Sequence, residues 1–401
     1  MKTILTSGRI LAAVALLSPL LAVYAPLGFA PLVGLAATLG FVGHLAGHHR
    51  GAPMAIAPDR WSLWLFSALA ILAAASAAWS IDPKTTFDKY PPMVLTLACA
   101  GVLVGLARDL DRDARLALER SIVVGMVLGV GALAIERATG GLLAPVHWTA
   151  GNANHFMNQF NRSVTILAIL IWPTVCVAAR RKPVYGIALG IALFAALLTF
   201  SNDAAIVGMV SGAAAFGLVW ALPKLGGRVL AAAAVASIVL SPFAIRALPP
   251  AKESFEEMSL PRSTYHRLLI WNFTTDRIFE RPVLGWGYNS SRVIPGGKDT
   301  LDSSEPALPL HPHNGALQLW LELGIGGALL GAAVAFNAAR AIIGMSADRL
   351  SRASAAATLA SAIPILLVSY GIWQSWWMCT LIVASALAIG ATSRAPDGNS
   401  V

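Results

Sequence analysis

Residues 311–336 read HPHNGALQLWLELGIGGALLGAAVAF. A long polar stretch, Arg246 to Pro312, ends here and an apolar run begins that is long enough to cross a hydrocarbon core of about 30 Å. The junction decides the fold because similar runs recur along the whole chain. The expected spans are 10–25, 27–45, 61–80, 91–107, 121–138, 163–179, 184–200, 204–222, 228–245, 314–336, 354–371 and 375–392. Inside lipid every backbone N–H and C=O needs an internal partner, so each run should be a helix. His313 then stands where water meets membrane. With an ordinary pKa of about 6.5, a histidine there suits proton transfer as well as it suits capping a helix.

Composition agrees. The 401 residues are 57% hydrophobic and 12% charged, with a mean hydropathy of +0.68. The chain reads as an all-α polytopic membrane protein of about twelve transmembrane helices. They form a single membrane domain over residues 1–401, with one large loop insertion, 246–313, between helices 9 and 10. Met1 to Ala25 imitates a signal peptide, with Lys2 and Arg9 before the apolar stretch and a small residue at Ala25. The apolar pattern resumes at once, so the segment is read as a retained first helix.

Charge sets the expected orientation. Of the 29 Lys and Arg residues, 17 fall in connections on the N-terminal side, among them Arg108, Arg112, Arg115, Arg120, Arg180, Arg181, Arg340, Arg349 and Arg352. Short connections on the other side carry only Lys84, Lys89, Arg137 and Arg162. Basic residues in short loops mark the cytoplasmic side. Both termini should therefore be cytoplasmic, and the 246–313 loop and His313 should face outward. The formal charge of +9 forms no aromatic-interleaved basic stripe, which argues against nucleic acid as a partner. Cys99, Cys176 and Cys379 all lie in apolar spans and read as buried structural thiols. Gly-xxx-Gly pairs at Gly125/Gly129, Gly208/Gly212 and Gly327/Gly331 read as close helix packing.

The loop insertion has internal order. Ser263 to Phe279 should be a helix, with Arg267, Trp271, Thr274 and Ile278 on one face. Pro282 and Gly285-Trp286-Gly287 should end it. Asp299 to Pro312 is rich in turn formers and acids and could be a mobile cover or a linker.

Candidate chemistry gathers on the outward side. Arginine is favoured at a membrane edge for bidentate grip on phosphate, which singles out Arg162, Arg267 and Arg292, although arginines also snorkel to headgroups. His311-Pro312-His313 lacks the third and fourth ligands of a zinc site, so no metal is expected. Glu322 lies within the tenth span, and nine helical residues turn it away from His313; a structural hydrogen-bonding role is expected for it. His155 reads as structural or as lining the site, and His44, His48, His49 and Arg50 as an interfacial polar cap. Neither a Gly-x-Ser-x-Gly elbow nor a Walker-type loop is present. Any activated donor should therefore arrive from elsewhere.

His313-Asn314, nine residues and then Gly324-Ile-Gly-Gly327 resembles the signature of the O-antigen ligase family, which is shared with O-antigen polymerases and bacterial protein O-oligosaccharyltransferases. Further similarities are Trp79-Ser-Ile-Asp-Pro83, Asn161-Arg162 leading into Ile171-Trp-Pro173, and His266-Arg267 running through Pro282 to Gly285-Trp-Gly287. The resemblance spans about residues 60 to 340. It implies a glycosyltransferase of the bacterial inner membrane, with a periplasmic site and no cofactor, metal or nucleotide. The implied donor is a glycan on undecaprenyl diphosphate. The implied acceptor is a lipid A-core sugar hydroxyl. His313 would be the general base of an inverting transfer, and Arg162 and Arg267 would hold the diphosphate. Asn314, Arg292 and His311 complete the expected substrate-binding set. One departure stands out: many relatives carry Ser-x-Ser-Arg where this chain has Ser201-Asn-Asp203, and Arg292 could substitute for the missing cation.

The length and the long loop before the His-Asn pair favour ligation over polymerisation of repeat units. Protein O-glycosylation fits less well, because such enzymes usually carry a larger C-terminal periplasmic part. A transporter or lipid flippase would need paired charges or broken helices near mid-membrane, a depth that only Glu322 and Asp203 approach.

Overall fold

The computed structural model describes residues 6–48, 59–144, 153–200, 202–249, 262–300, 305–345 and 347–392. In chain order the α-helices are α1 (Ser7–Tyr24), α2 (Phe29–His48), α3 (Arg60–Ala75), α4 (Pro83–Arg108), α5 (Arg112–Thr139), α6 (Ala153–Gln159), α7 (Asn161–Arg181) and α8 (Pro183–Leu197). They continue as α9 (Asp203–Ala221), α10 (Pro223–Val239), α11 (Ser241–Arg246), α12 (Arg262–Glu280), α13 (Gly315–Ile343), α14 (Arg349–Val368) and α15 (Ser375–Thr392). Short polar side chains start many of them by accepting orphan N–H groups of the first turn. Asp59 caps α3, Asp82 caps α4, Asp111 caps α5, Asn202 caps α9 and Asp348 caps α14.

Helix α7 is the hub. It packs against α1, α5, α8, α9, α14 and α15, and its residues from Ser163 to Thr174 are all buried. Small residues let neighbours close in: a Cβ on Gly125 would lie 2.5 Å from the Ala15 carbonyl, and one on Gly212 2.3 Å from Ser361 Oγ. The outer surface carries large apolar side chains such as Trp64, Ile71, Leu95, Ile187 and Ile191. A water-soluble protein does not present so much contiguous apolar surface; here it faces lipid. The chain is a multi-pass membrane protein.

Ten helices among the described residues are long and apolar enough to cross a membrane, against twelve expected. The 184–200 span is α8, only 15 residues long; it leads from the Arg180 end of α7 back toward Asn202, whose Nδ2 donates to the Asn161 carbonyl at 2.9 Å. The 228–245 span is divided. Helix α10, opening with Lys224 and Arg228, stops after 17 residues, and Ser241-Pro242 restarts the chain as the six-residue α11. Proline cannot supply the N–H that would continue the helix.

Helix direction sorts the chemistry. Ser7 reaches Asp109 at 3.5 Å and Arg180 Nη1 donates to the Ala391 carbonyl at 2.5 Å, so both described chain ends lie at one end of the bundle. His313 and the described residues of 262–300 and 305–312 lie at the other.

Candidate active site

The distant motifs converge on a break in α13. Gly324 has φ +61° and ψ −156°, which interrupts the i to i+4 ladder. A Cβ there would lie 2.2 Å from the Val283 carbonyl. Backbone polar groups freed inside a membrane protein must be satisfied by protein, and the Gly285-Trp286-Gly287 loop satisfies them. Trp286 N–H donates to the Leu321 carbonyl at 2.9 Å, Gly287 N–H to Glu322 at 2.8 Å, and Ile325 N–H to Pro282 at 2.9 Å. Gly285, at φ +69°, fits only because it lacks a Cβ, which would lie 2.6 Å from the Glu322 backbone. The Trp79–Pro83 motif closes the other side: Ile81 N–H donates to the Trp286 carbonyl at 3.1 Å, and Trp79 Nε1 to Leu284 at 2.9 Å.

Glu322 sits at the centre of this knot, 0% exposed. Its carboxylate accepts from Asn289 N–H at 2.7 Å, Ser291 N–H at 3.4 Å, Gln318 Nε2 at 2.9 Å, Trp373 Nε1 at 2.6 Å and the Ser291 hydroxyl. Both oxygens are fully engaged. The structural role expected for Glu322 is what its partners describe. A broken helix is also what a transporter would show, but here the Leu321 and Glu322 carbonyls and the Ile325 N–H freed by the break are taken up by the Pro282–Gly287 segment.

One turn before α13, the backbone places His313 at φ +53°, a region that few non-glycine residues adopt and that concentrates at functional sites. Its Nδ1 lies 2.9 Å from the Ser369 carbonyl. A carbonyl only accepts, so Nδ1 carries the proton and Nε2 keeps its lone pair. No described residue hydrogen-bonds that Nε2. Burial pushes the His313 pKa below its ordinary value, the Ser369 hydrogen bond opposes this, and the nearby charges of Arg267 and His266 lower it further. The ring is a neutral base aimed by its backbone.

His311 supports it. His311 is 8% exposed, accepts the His313 N–H on Nδ1 at 3.1 Å and pairs through Nε2 with the Gln374 side-chain amide at 2.9 Å. The two imidazoles lie 4.4 Å apart. Burial, followed by the charges of His313 and Arg292, pushes the His311 pKa down to about 3. Asn314 is buried and caps α13, its Oδ1 accepting the Leu317 N–H at 3.0 Å.

Arg267, on α12, is half-buried, and its guanidinium neither pairs nor hydrogen-bonds with a described residue. Burial lowers its pKa, while Tyr370 and Asp203 favour its charge. Arg162, at the start of α7, is exposed and stands 5.7 Å over the Trp376 ring, also without a carboxylate partner. Arg292 is exposed on a short turn, Ser291–Val293, and its charge reaches His311. The structure thus brings His313, Arg267 and Arg162 to one end of the bundle. His311 and Asn314, expected among the substrate contacts, also lie at this end and are hydrogen-bonded by protein partners.

The expected loop helix is α12. Trp271 Nε1 ties it to the Pro312 carbonyl at 2.9 Å, and His266 pairs with Glu305 at 3.1 Å. The described part of Asp299–Pro312 is packed: Ala307 and Leu308 are fully buried. Residues 301–304, Ser201, His49, Arg50 and the side chains of His48 and His155 lie outside the described residues. Sequence reasoning missed the turn between α14 and α15. Ser369 fixes His313, Gln374 holds His311, and Ile372 N–H donates to Gln318 at 2.9 Å. Its signal was the run Ser369-Tyr-Gly-Ile-Trp-Gln-Ser-Trp-Trp377, polar and aromatic between two apolar spans.

Comparison with known proteins agrees with the motif reading. Residues 187–331 match the family model described as O-antigen ligase, a segment that contains Arg267, the Gly285–Gly287 loop, His313 and the Gly324 break. A Rickettsia conorii protein named "Putative polysaccharide ligase" is 26% identical over 320 residues, covering 78% of this chain and 75% of its own length. A Rickettsia prowazekii protein of the same name is 27% identical over 321 residues, covering 78% and 76%. The resemblance drawn from the motifs is borne out.

Proposed function

We propose that the chain transfers a glycan from undecaprenyl diphosphate to a sugar hydroxyl of lipid A-core, as an inverting, metal-independent ligase of the inner membrane with a periplasmic site. The observation that carries this reading is the pairing of a free imidazole lone pair on His313 Nε2 with the unpartnered Arg267 guanidinium beside it. The family match and the polysaccharide ligase relatives support the reaction class.

The acceptor O–H gives its proton to His313 Nε2 as its oxygen attacks the anomeric carbon. The bond from that carbon to the diphosphate oxygen breaks on the opposite face, inverting the centre. Arg267 and Arg162 take up the negative charge that grows on the leaving diphosphate. Fixed cations in a partly buried site cost no reorganisation as the charge develops. The polarised imidazole needs no metal for this step, because its Nδ1–H is already bound to Ser369.

The test is reconstitution of the full chain with lipid-linked glycan and lipid A-core. Glycan joined to the core supports ligation. Longer lipid-linked chains without core product point to polymerisation instead. Absence of any transfer, with both substrates intact and the protein folded, overturns the reading.

A further inference from the structure

The geometry points to Tyr370 as a third ligand of the donor diphosphate, its phenol donating a hydrogen bond to a phosphate oxygen between Arg162 and Arg267; this rests on the transfer reading above. Tyr370 belongs to the turn between α14 and α15, outside the segment that matches the family model. Its hydroxyl lies 3.2 Å from Thr165 Oγ1 and 3.2 Å from the Asn161 carbonyl, both long for an O–H···O bond, which is commonest near 2.7–2.8 Å. The Asn161 carbonyl already accepts from Thr165 Oγ1 at 2.8 Å and from Asn202 Nδ2 at 2.9 Å. With two lone pairs, that oxygen is filled by the closer donors. Thr165 spends its proton there, so the phenol proton is left to Thr165 Oγ1 at 3.2 Å, a long bond that a phosphate oxygen at ordinary distance can replace.

Its surroundings say what would take it. Burial raises the Tyr370 pKa, and the Thr165 hydrogen bond and the charges of Arg162 and Arg267 oppose that rise. At neutral pH Tyr370 is therefore a neutral donor between two cations, an arrangement complementary to a polyanion. The ring cannot swing away. It stacks edge-on to Trp376 with centroids 4.6 Å apart and lies 5.7 Å from Trp377. Trp376 also carries Arg162 on its face, so one indole contacts both the phenol ring and that guanidinium.

The experiment measures binding of farnesyl diphosphate to the purified full chain in detergent, for wild type, Tyr370→Phe, Thr165→Val and Arg267→Ala. Loss of one hydrogen bond to a charged group corresponds to about a tenfold rise in Kd or more. Tyr370→Phe should show that rise with an unchanged melting temperature, while Thr165→Val stays within about twofold of wild type. In transfer assays the same variant should raise the donor KM and leave the acid limb of the pH profile in place. Unchanged affinity in Tyr370→Phe overturns the assignment, as does an equal loss in Thr165→Val, which would mean that the phenol acts through packing. If Arg267→Ala loses binding and Tyr370→Phe does not, only Tyr370 falls. If wild type binds no diphosphate, the clamp itself falls with it.

Discussion

Glu322 and His313 lie in the same stretch of chain, yet their surroundings are opposites. Around Glu322 each polar group has a partner: five donors meet one carboxylate, and the amides of Trp286 and Gly287 take the carbonyls freed at Gly324. Around His313 the chemistry is left open: among the described residues Nε2 has no hydrogen-bond partner, Arg267 has no ion-pair partner, and Arg162 lies over an aromatic face. The far end of the bundle repeats the contrast. Arg108 pairs there with Asp59 at 3.2 Å and Arg180 with Glu119 at 3.3 Å. Proteins rarely leave buried charge unpaired without a use for it, because desolvation is costly. The paired region holds the fold, and the unpaired region is where the proposed donor would bind.

The sharpest way to break that division is from the structural side. Gly324→Ala should forbid the break, since its Cβ meets the Val283 carbonyl, and Glu322→Ala should orphan five donors at about 1–3 kcal/mol each. Both should lose most of the folded protein in a detergent melting experiment. A well-folded, active Glu322→Ala chain would show that the knot is dispensable. Arg267→Lys comes next. It keeps the charge but loses the bidentate fork, and should lower transfer by about tenfold or more at an unchanged melting temperature; a parallel fall in stability would move Arg267 into the scaffold.

A pH series sharpens the comparison further. His313 has a depressed pKa, so its base form is complete at neutral pH. Activity should fall only as pH drops below the ordinary histidine value of about 6.5. In Arg267→Gln the neighbouring charge is gone, and the acid limb should move up toward that value. A limb that stays put would separate the two residues. The smallest expected effect is at Asn314. Losing this cap to Ala should cost about 1 kcal/mol, and Ser should restore it, read by melting temperature alongside activity.

Much of this was legible in the sequence, for physical reasons that differ by element. Apolar length marked the spans, because lipid enforces helices wherever the run suffices. At 184–200 and 228–245 the helices that form have 15 and 17 residues, the second ending before the Ser241-Pro242 restart, which apolar length alone does not register. The His-Asn and Gly-rich motifs marked the right end of the bundle. Their physical link, amides of one motif capping carbonyls of the other, is a tertiary exchange with no trace in spacing. The Ser369–Gln374 turn was invisible as a site because its work is done largely by backbone groups, the Ser369 carbonyl and the Ile372 amide. His311 shows the same limit. Its hydrogen bonds to the His313 amide and to Gln374 could not be read from the His-Pro-His spacing.

The most direct test of the unpaired region is the rate of glycan transfer by His313→Asn. Asparagine tolerates positive φ, so the turn and the fold should survive while the base is lost. Transfer should fall by about 10²–10⁴-fold, with wild-type melting temperature and diphosphate affinity. Transfer at the wild-type rate in that variant would contradict the account.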